Sequence, residues 1–189
     1  TKHLARFAEC LVPLIDKNKD EAIKIATEAI NSFEKKYEKK WLNMMRDKLG
    51  LFGVEDKDKF LILDLLTWMH QKKVDYTNIF CHLINIKIDK DENLEDNDFQ
   101  NWKKRWQLRL KINKNTPEKS MKLMKSANPI IIPRNQKVEE ALEAAKKGDL
   151  GSVNQLMDVL KEPYSHKENI FEYQMPSNFN EYYRTFCGT

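Results

Sequence analysis

The sequence predicts an all-α fold: a single irregular helical domain of about seven to eight helices with an extended C-terminal strap. Apolar residues recur at three- and four-residue spacing along most of the chain. Charged residues make up 33% of the 189 residues, a density that suits the outer faces of amphipathic helices. Glycine and proline are scarce, at 5 and 6 residues, which excludes Gly-rich phosphate loops and turn-rich strand folds from this chain.

The first two predicted helices carry long apolar stripes. The first stripe starts at Leu4, and the first helix is predicted to end near Asp16. Because the chain starts at Thr1 without Met, we expect the chain to begin close to, or inside, a helix of a longer protein. Asp20 is expected to cap a long second helix, which Gly50 and Gly53 end as C-cap glycines. The stripe of this second helix is Ala22, Ile23, Ala26, Ala29, Ile30, Phe33, Tyr37, Trp41 and Met44.

The middle of the chain predicts three more helices around one charged loop. A third helix is predicted from about Asp56 to Lys72, and Asp75 is expected to cap a fourth. The fourth helix is expected to turn Tyr76, Ile79, Phe80, Leu83 and Ile84 inward. Residues 89–98 predict a mobile surface loop. The helix that follows carries Phe99, Trp102, Trp106 and Leu110.

The last third opens on a strong helix start. The helix is predicted to start with Thr116 as its cap, Pro117 as a first-turn proline and Glu118 as an acidic first-turn residue. It must end near residue 127, before Asn128-Pro129. Residues 130–133 predict a short apolar strap. Two compact helices follow, which Gly148 and Asp149 separate.

The C-terminal end loses helical periodicity from residue 164 onward. We therefore predict a helical region over residues 1–163 and an irregular tail over 164–189. The tail is expected to pack as a strap through Phe171, Tyr173, Phe179 and Phe186.

Charge and cysteine usage restrict the class of protein. The net charge is only +4 and the signs are interleaved along most of the chain, a pattern that mainly favours solubility. The three cysteines, Cys10, Cys81 and Cys187, have no CxxC spacing, so we expect no disulfide framework and a reducing, cytoplasmic setting. No apolar run is long enough to span a membrane, and we expect no membrane partner.

Several local patterns resemble functional sites, but a structural interpretation is favoured for each. Cys81 and His82 are adjacent, and neighbours on a helix point about 100° apart, so we expect no metal site. Trp102 and Trp106 share one helix face, which we expect to be buried, with the basic residues around them on the opposite, solvated face; we expect no nucleic-acid partner. The carboxylates of residues 89–98 predict a solvated loop and no acid–base site.

One further pattern resembles the Asp and Asn of a kinase catalytic loop, namely Asp149 and Asn154 within GDLGSVN. Helix ends explain the same residues, because Gly148 is expected to end one helix and Asp149 to cap the next. We therefore predict no catalytic, cofactor-binding or metal-binding residue in this chain.

A family resemblance emerges from the C-terminal third. The run NPIIIPRNQKVEEALEAAKKGDLGSVNQLMDVLKEPY is similar to the C-terminal signature of the SelO (YdiU, selenoprotein O) family of pseudokinases. The earlier segments MMRDKLGL, VDYTNIF and FQNWKKRW agree with it in order. The residues that fit the signature are Asn128, Pro129, Arg134, Asn135, Ala141, Gly148, Asp149, Leu156, Leu160, Pro163 and Tyr164.

The resemblance implies a kinase-like parent protein that transfers AMP from ATP, with Mg²⁺ or Mn²⁺, to Ser, Thr or Tyr hydroxyls of target proteins. The nucleotide- and metal-binding residues of the family lie upstream of this region and map onto none of these positions. The chain would then be the helical C-terminal region, with a structural or regulatory role. Its partners would be the upstream kinase-like domain and, for the parent, its protein substrates.

The resemblance carries over one functional position. The family ends with a Cys or selenocysteine third from the end, which is the place of Cys187, although the last residues here are Gly188 and Thr189 where relatives often have two Ser. Cys187 is therefore a redox candidate that could form a reversible disulfide with a cysteine of the catalytic core. The alternative interpretation of Cys187 is a lone exposed thiol without a role. The alternative for the whole chain is a free-standing helical interaction module without catalytic activity.

Overall fold

The computed structural model describes residues 2–86, 92–165 and 171–176. Within these ranges all regular secondary structure is helical, which confirms the predicted all-α class. Eight of the described α-helices have eight or more residues, and a 3-10 turn lies at Glu92–Glu95. The α-helices are α1 (Lys2–Ile15), α2 (Lys19–Lys48), α3 (Asp58–Lys72), α4 (Tyr76–Leu83), α5 (Asn97–Ile112), α6 (Pro117–Ala127), α7 (Asn135–Lys146), α8 (Gly151–Leu160) and α9 (Phe171–Gln174).

The chain divides into two compact units, Thr1–Met45 and Arg46–Thr189. The first unit contains α1 and most of α2, and it buries Ala22 and Ala26. Several of its large apolar side chains are exposed, Phe33 and Tyr37 among them, whose rings stack at 5.9 Å between centroids. The predicted division into a helical region and a tail at residue 163 stays a prediction.

The cap of α2 differs from the expected one. The side-chain oxygen of Asn18 accepts hydrogen bonds from the backbone N–H groups of Asp20 at 2.9 Å and Glu21 at 3.3 Å. Asp20 instead lies in the first turn of the helix. Because an acidic residue is favourable both as a cap and in the first turn, the sequence did not separate the two positions.

The end of α2 is a glycine cap, as predicted. Gly50 has φ +69°, and its N–H donates to the carbonyl of Asp47 at 3.1 Å. The N–H of Leu51 donates to the carbonyl of Arg46 at 2.9 Å, so the two bonds form a Schellman motif. Gly53, which was also predicted as a C-cap glycine, takes no part in this cap, because it lies five residues after the end of the helix, in the loop before α3, with a φ of 76°.

The core of the second unit is built on α3 and α5. The rings of Trp68, Phe99, Trp102 and Trp106 form one stack, with successive centroids 4.5, 5.8 and 5.9 Å apart. The indole N–H of Trp102 donates to the carbonyl of Leu61 at 2.8 Å, and that of Trp106 donates to the carbonyl of Leu49 at 2.9 Å. The prediction that both Trp side chains face the core is confirmed.

Two expectations around α4 need correction. Asp75 caps the helix as predicted, because its carboxylate accepts the N–H of Asn78 at 2.9 Å. Tyr76, however, is 43% exposed, since it is the first residue of the helix, whereas the other four predicted residues are buried. The predicted loop at 89–98 also ends early: Asp96 accepts the N–H groups of Asp98 and Phe99 and caps α5.

The last third follows the prediction closely. Thr116 Oγ1 accepts the N–H of Lys119 at 3.4 Å at the start of α6. Ile130 and Ile131 of the strap are buried, and the Ile130 N–H donates to the carbonyl of Pro163 at 2.8 Å. α7 and α8 form a hairpin in which Asp149 accepts the N–H of Gly151 at 2.8 Å.

The predicted strap at the tail is only partly described, and one residue is corrected. Phe171 begins the single-turn helix α9 and is 50% exposed, because the buried residue of this turn is Gln174. Tyr173 lies in the same turn. Phe179 and Phe186 lie outside the described residues.

The two positive-φ glycines of the α2–α3 connection predict a graded effect on stability. A Cβ at Gly50 would lie 2.9 Å from the Met124 side chain and 3.0 Å from the carbonyl oxygen of Ser120, whereas one at Gly53 would meet nothing within 4 Å. Gly53→Ala is expected to cost about 1–2 kcal/mol, from left-handed strain alone. Gly50→Ala is expected to cost ~2–4 kcal/mol, since the overlap adds to that strain. Urea denaturation measures both, and equal losses would contradict the close approach at Gly50.

Candidate functional site

A buried charge cluster of Arg46, Asp58 and Arg109 holds the second unit together. Asp58 is 1% exposed and lies at the start of α3. Its carboxylate accepts Nε–H of Arg46 at 2.7 Å and Nε–H of Arg109 at 2.7 Å. It also accepts the backbone N–H of Glu55 at 3.1 Å. One carboxylate therefore joins the end of α2, the loop before α3 and the last turn of α5.

Arg109 extends this charge cluster toward α6. Its guanidinium donates to the carbonyl of Phe52 at 3.1 Å and to the side-chain oxygen of Asn113 at 2.9 Å. Asn113 in turn donates to the carbonyl of Gly50 at 2.8 Å and to the hydroxyl oxygen of Ser120 at 3.0 Å. The α2–α3 loop, α5 and α6 are thus tied by one continuous hydrogen-bond network.

The sequence prediction placed Arg109 on a solvated face with the other basic residues, and this is wrong. Arg109 is 7% exposed. The signal was present in the spacing, because Trp102, Trp106 and Arg109 stand at positions i, i+4 and i+7 of one helix face. Asp58 likewise shares a helix face with Leu61 and Leu65, at positions i, i+3 and i+7, and both leucines are buried. A charged residue on the same helix face as buried apolar residues therefore indicates a buried ion pair.

Burial by itself would raise the pKa of the Asp58 carboxyl, but the hydrogen bonds from Arg109 and Arg46 outweigh it and hold the pKa below its ordinary value. Asp58 is therefore ionised at neutral pH. Two guanidinium groups face one carboxylate, so the loss of that carboxylate would remove the negative charge that both buried groups face.

The charge cluster lies under an apolar groove between α3 and α5. The groove has a volume of about 780 Å³, and Asp58 and Arg109 form part of its lining. Three large apolar side chains in it are strongly exposed: Phe60 at 67%, Leu108 at 61% and Ile112 at 59%. We call this surface the α3–α5 groove. An open apolar surface held by a rigid ion-pair network is typical of a contact surface for another chain or domain.

A second ion-pair site joins two helix starts to the tail. The guanidinium of Arg134, just before α7, makes a two-pronged contact with the carboxylate of Asp75, which also caps α4. Arg134 also donates to the carbonyl of Gln174 in α9 at 3.0 Å, and Gln174 donates to the carbonyl of Ile130 at 3.3 Å. This site fixes the described part of the tail to the apolar segment 130–133.

Asn128 has a buried structural role at the junction of α2 and α6. It is 1% exposed, and its amide donates to the carbonyls of Lys48 at 2.9 Å and Met124 at 2.8 Å. Its oxygen accepts the ammonium of Lys48 at 3.2 Å. That ammonium also lies 4.9 Å from the ring centre of Phe80, and burial lowers the pKa of Lys48. Asn128 and Arg134, both part of the signature run, thus hold the fold together by side-chain hydrogen bonds.

The two described cysteines differ in exposure. Cys10 is exposed on α1, whereas Cys81 is fully buried in α4. Burial, together with the nearby carboxylate of Asp75, raises the pKa of the Cys81 thiol to about 11. Cys187 lies outside the described residues, so its redox role stays a prediction. Within the described part of the chain no group of three or more His, Cys, Asp or Glu side chains could hold a metal ion. None of the described helices is long and apolar enough to cross a membrane.

Comparison with known proteins connects this helical architecture to a class of transferases. The family model "Protein adenylyltransferase SelO" matches residues 1–161. The protein nucleotidyltransferase YdiU of Pelagibacter ubique is 53% identical over 188 residues, which cover 99% of this chain and 39% of that relative. The YdiU proteins of Nitrosococcus oceani and Clostridium botulinum are 43% and 46% identical and are covered to 38% and 39% of their length.

The chain therefore corresponds to a helical portion of the proteins in a protein nucleotidyltransferase family. It belongs to the SelO family, as the resemblance of the signature run implied. The chain spans about two-fifths of the length of the curated relatives named above.

The charge cluster predicts a large, pH-dependent loss of stability for Asp58→Asn. We expect a decrease of ~3–5 kcal/mol in the free energy of unfolding at pH 7, because two buried guanidinium groups lose their counter-ion. Asp64→Asn is the control, since Asp64 pairs with Arg105 at the surface and its loss should cost about 0–1 kcal/mol.

The lowered pKa of Asp58 fixes the sign of the pH dependence. The contribution of Asp58 to stability is complete above the pKa of its carboxyl in the unfolded chain, about 3.9, and is lost as the pH falls through the lower pKa of the folded protein. The wild type should therefore lose more stability than Asp58→Asn below about pH 4. Urea denaturation from pH 3 to pH 7 tests this, and parallel pH profiles would contradict it.

The two described cysteines predict different rates of thiol labelling. Cys10 should react quickly with a maleimide at neutral pH, whereas Cys81 should react slowly, because it is buried and its thiol pKa is about 11. Peptide mass spectrometry of a time course measures both sites, with a urea-unfolded sample as the control in which the rates converge. Equal rates in the folded protein would show that Cys81 is accessible.

Proposed function

We propose that this chain is the helical C-terminal region of a SelO-family protein that transfers AMP from ATP to Ser, Thr or Tyr hydroxyls of proteins. The observation that carries the proposal is the match to the SelO family model over residues 1–161, together with 53% identity to a named protein nucleotidyltransferase. The specific reaction and the acceptor hydroxyls are part of the proposal and rest on the family resemblance.

The proposal assigns ATP and its Mg²⁺ or Mn²⁺ to a kinase-like domain upstream of residue 1. The matched relatives are about two and a half times as long as this chain, which leaves room for such a domain. In this view the described helices provide structural support. Their charge cluster keeps α3 and α5 in one register, and so keeps the surface between them in one shape.

We assign the α3–α5 groove to the contact with the upstream domain. Phe60, Leu108 and Ile112 expose large apolar side chains side by side, and a contact with a second apolar surface would remove them from water. Asp58 and Arg109 beneath them already pair with each other, so covering the groove would not separate these two charges.

The tail adds a regulatory part to the proposal. Gln174 is fixed to Arg134 and Ile130, so Cys187 follows an anchored point of the chain by 13 residues. A disulfide between Cys187 and a cysteine of the upstream domain would join the tail to that domain under oxidising conditions.

The contact assignment predicts loss of activity when charge is placed in the groove. In the protein as encoded, with all sequence that flanks residues 1–189, Leu108→Asp with Ile112→Asp should lower AMP transfer from labelled ATP by roughly ten-fold or more, because a buried unpaired carboxylate costs more than 1.4 kcal/mol. Leu142→Asp with Met157→Asp is the matched control, since these α7 and α8 side chains are exposed to 49% and 56%.

Circular dichroism should show that both double variants keep their helical content. Full activity of the Leu108 and Ile112 variant would contradict the contact assignment. Absence of any AMP transfer by the unmutated protein would contradict the proposed reaction and favour the free-standing interaction module.

A further inference from the structure

The basic residues of the chain are concentrated in one stretch. Residues 103–125 contain nine basic residues and one acidic residue, Glu118, so this stretch has a net charge of +8. The whole chain has a net charge of only +4, so all remaining residues together carry −4. The positive charge of the protein is therefore a local property of α5, α6 and their connection.

A second groove lies in this stretch and shares one lining residue, Leu108, with the α3–α5 groove. It has a volume of about 720 Å³ and lies between α5 and α6. Its apolar lining is formed by Trp106, Leu108, Leu110, Pro117, Met121 and Met124. We call it the basic groove, because the charged side chains among its lining residues are Lys104 and Lys111 alone.

The lysines around the basic groove are available for a partner. Lys104, Lys111 and Lys114 are exposed, and so is Lys125, one turn after the lining residue Met121. Among the described residues, none of these four lysines has an ion pair. The two arginines of the same stretch differ, because Arg105 pairs with Asp64 and Arg109 with Asp58.

The two grooves beside α5 therefore differ in charge. The lining of the α3–α5 groove contains three carboxylates and three basic side chains, whereas the lining of the basic groove contains two lysines and no carboxylate. The basic groove also has a fixed wall, because Asn113 at the end of α5 donates to Ser120 of α6 at 3.0 Å. An apolar floor between two helices with lysines at its rim fits an amphipathic helix that has acidic residues beside its apolar face.

We propose that the basic groove binds an acidic amphipathic helix of a partner protein. The apolar side chains of that helix would contact Met121 and Leu110, and its carboxylates would pair with Lys104 and Lys111. A nucleic acid fits less well, because Trp106 is 6% exposed and Trp102 2%, so neither presents a ring face for base stacking. This proposal does not depend on the reaction that the rest of the protein catalyses.

The test is a binding measurement on the protein as encoded. The probe is a fluorescein-labelled helical peptide of about 18 residues, five turns of helix, with Leu along one face and Glu along the other. Fluorescence anisotropy should show binding that weakens as NaCl is raised, because the rim contacts are between exposed charges. A peptide with the same composition in scrambled order should bind at least roughly ten-fold more weakly, since it has no continuous apolar face.

Two variants locate the binding site. Lys104→Glu with Lys111→Glu should weaken peptide binding by roughly ten-fold or more, because two attractive contacts become repulsive. Lys36→Glu with Lys40→Glu makes the same change in net charge at two exposed positions of α2, and it should leave the affinity unchanged. Met121→Gln removes an apolar contact without a change of charge and should also weaken binding, by a few-fold.

Each other outcome overturns the proposal. Equal losses in both double lysine variants would show that only net charge matters. Tighter binding of a single-stranded oligonucleotide, or of phosphatidylserine vesicles, than of the peptide would assign the surface to nucleic acid or to membrane. No binding of the peptide would show that the groove is not a helix site. Because the readout is binding, a protein that binds the peptide but transfers no AMP would leave this inference standing while the proposed function fails.

Discussion

The carboxylate of Asp58 is shielded from water and faces two guanidinium groups, and the second unit depends on this arrangement. It accepts hydrogen bonds from Arg46 at the end of α2 and from Arg109 in α5, so three parts of the chain meet at one negative charge. Because an unpaired buried charge is so unfavourable, packings that separate these three groups are disfavoured. The indole N–H groups of Trp102 and Trp106 reach their backbone acceptors in the register that this ion pair fixes.

That register gives α5 two open grooves of opposite character. On one side it shares with α3 a groove in which large apolar side chains lie above a satisfied ion-pair network. It also shares with α6 a groove that has lysines at its rim and no carboxylate in its lining. A single helix thus contributes both to a surface suited to an apolar domain contact and to one suited to an acidic partner. The family match places both surfaces in a protein nucleotidyltransferase family.

Local signals predicted local structure well. Thr116 and Asp75 cap their helices, and Gly50 ends α2, because each of these effects involves only a few consecutive residues. The failures arose where two positions share one local signal, as with Asn18 and Asp20, or where a charged residue was assumed to be solvated, as with Arg109. The helix spacing already placed Arg109 beside the two tryptophans, but its partner Asp58 is 51 residues away in the sequence.

The sequence by itself determined the all-α class, most helix ends, the buried tryptophan face and the membership of the SelO family, since these follow from spacing, capping residues and an ordered set of motifs. Only the tertiary structure decided which charged residues are buried, that Arg134 joins α4, α7 and α9, and that the lysines of α5 lie beside an apolar groove. The physical reason is distance along the chain. A charge is buried or exposed according to the partner that packing brings to it, and that partner stands outside any local pattern.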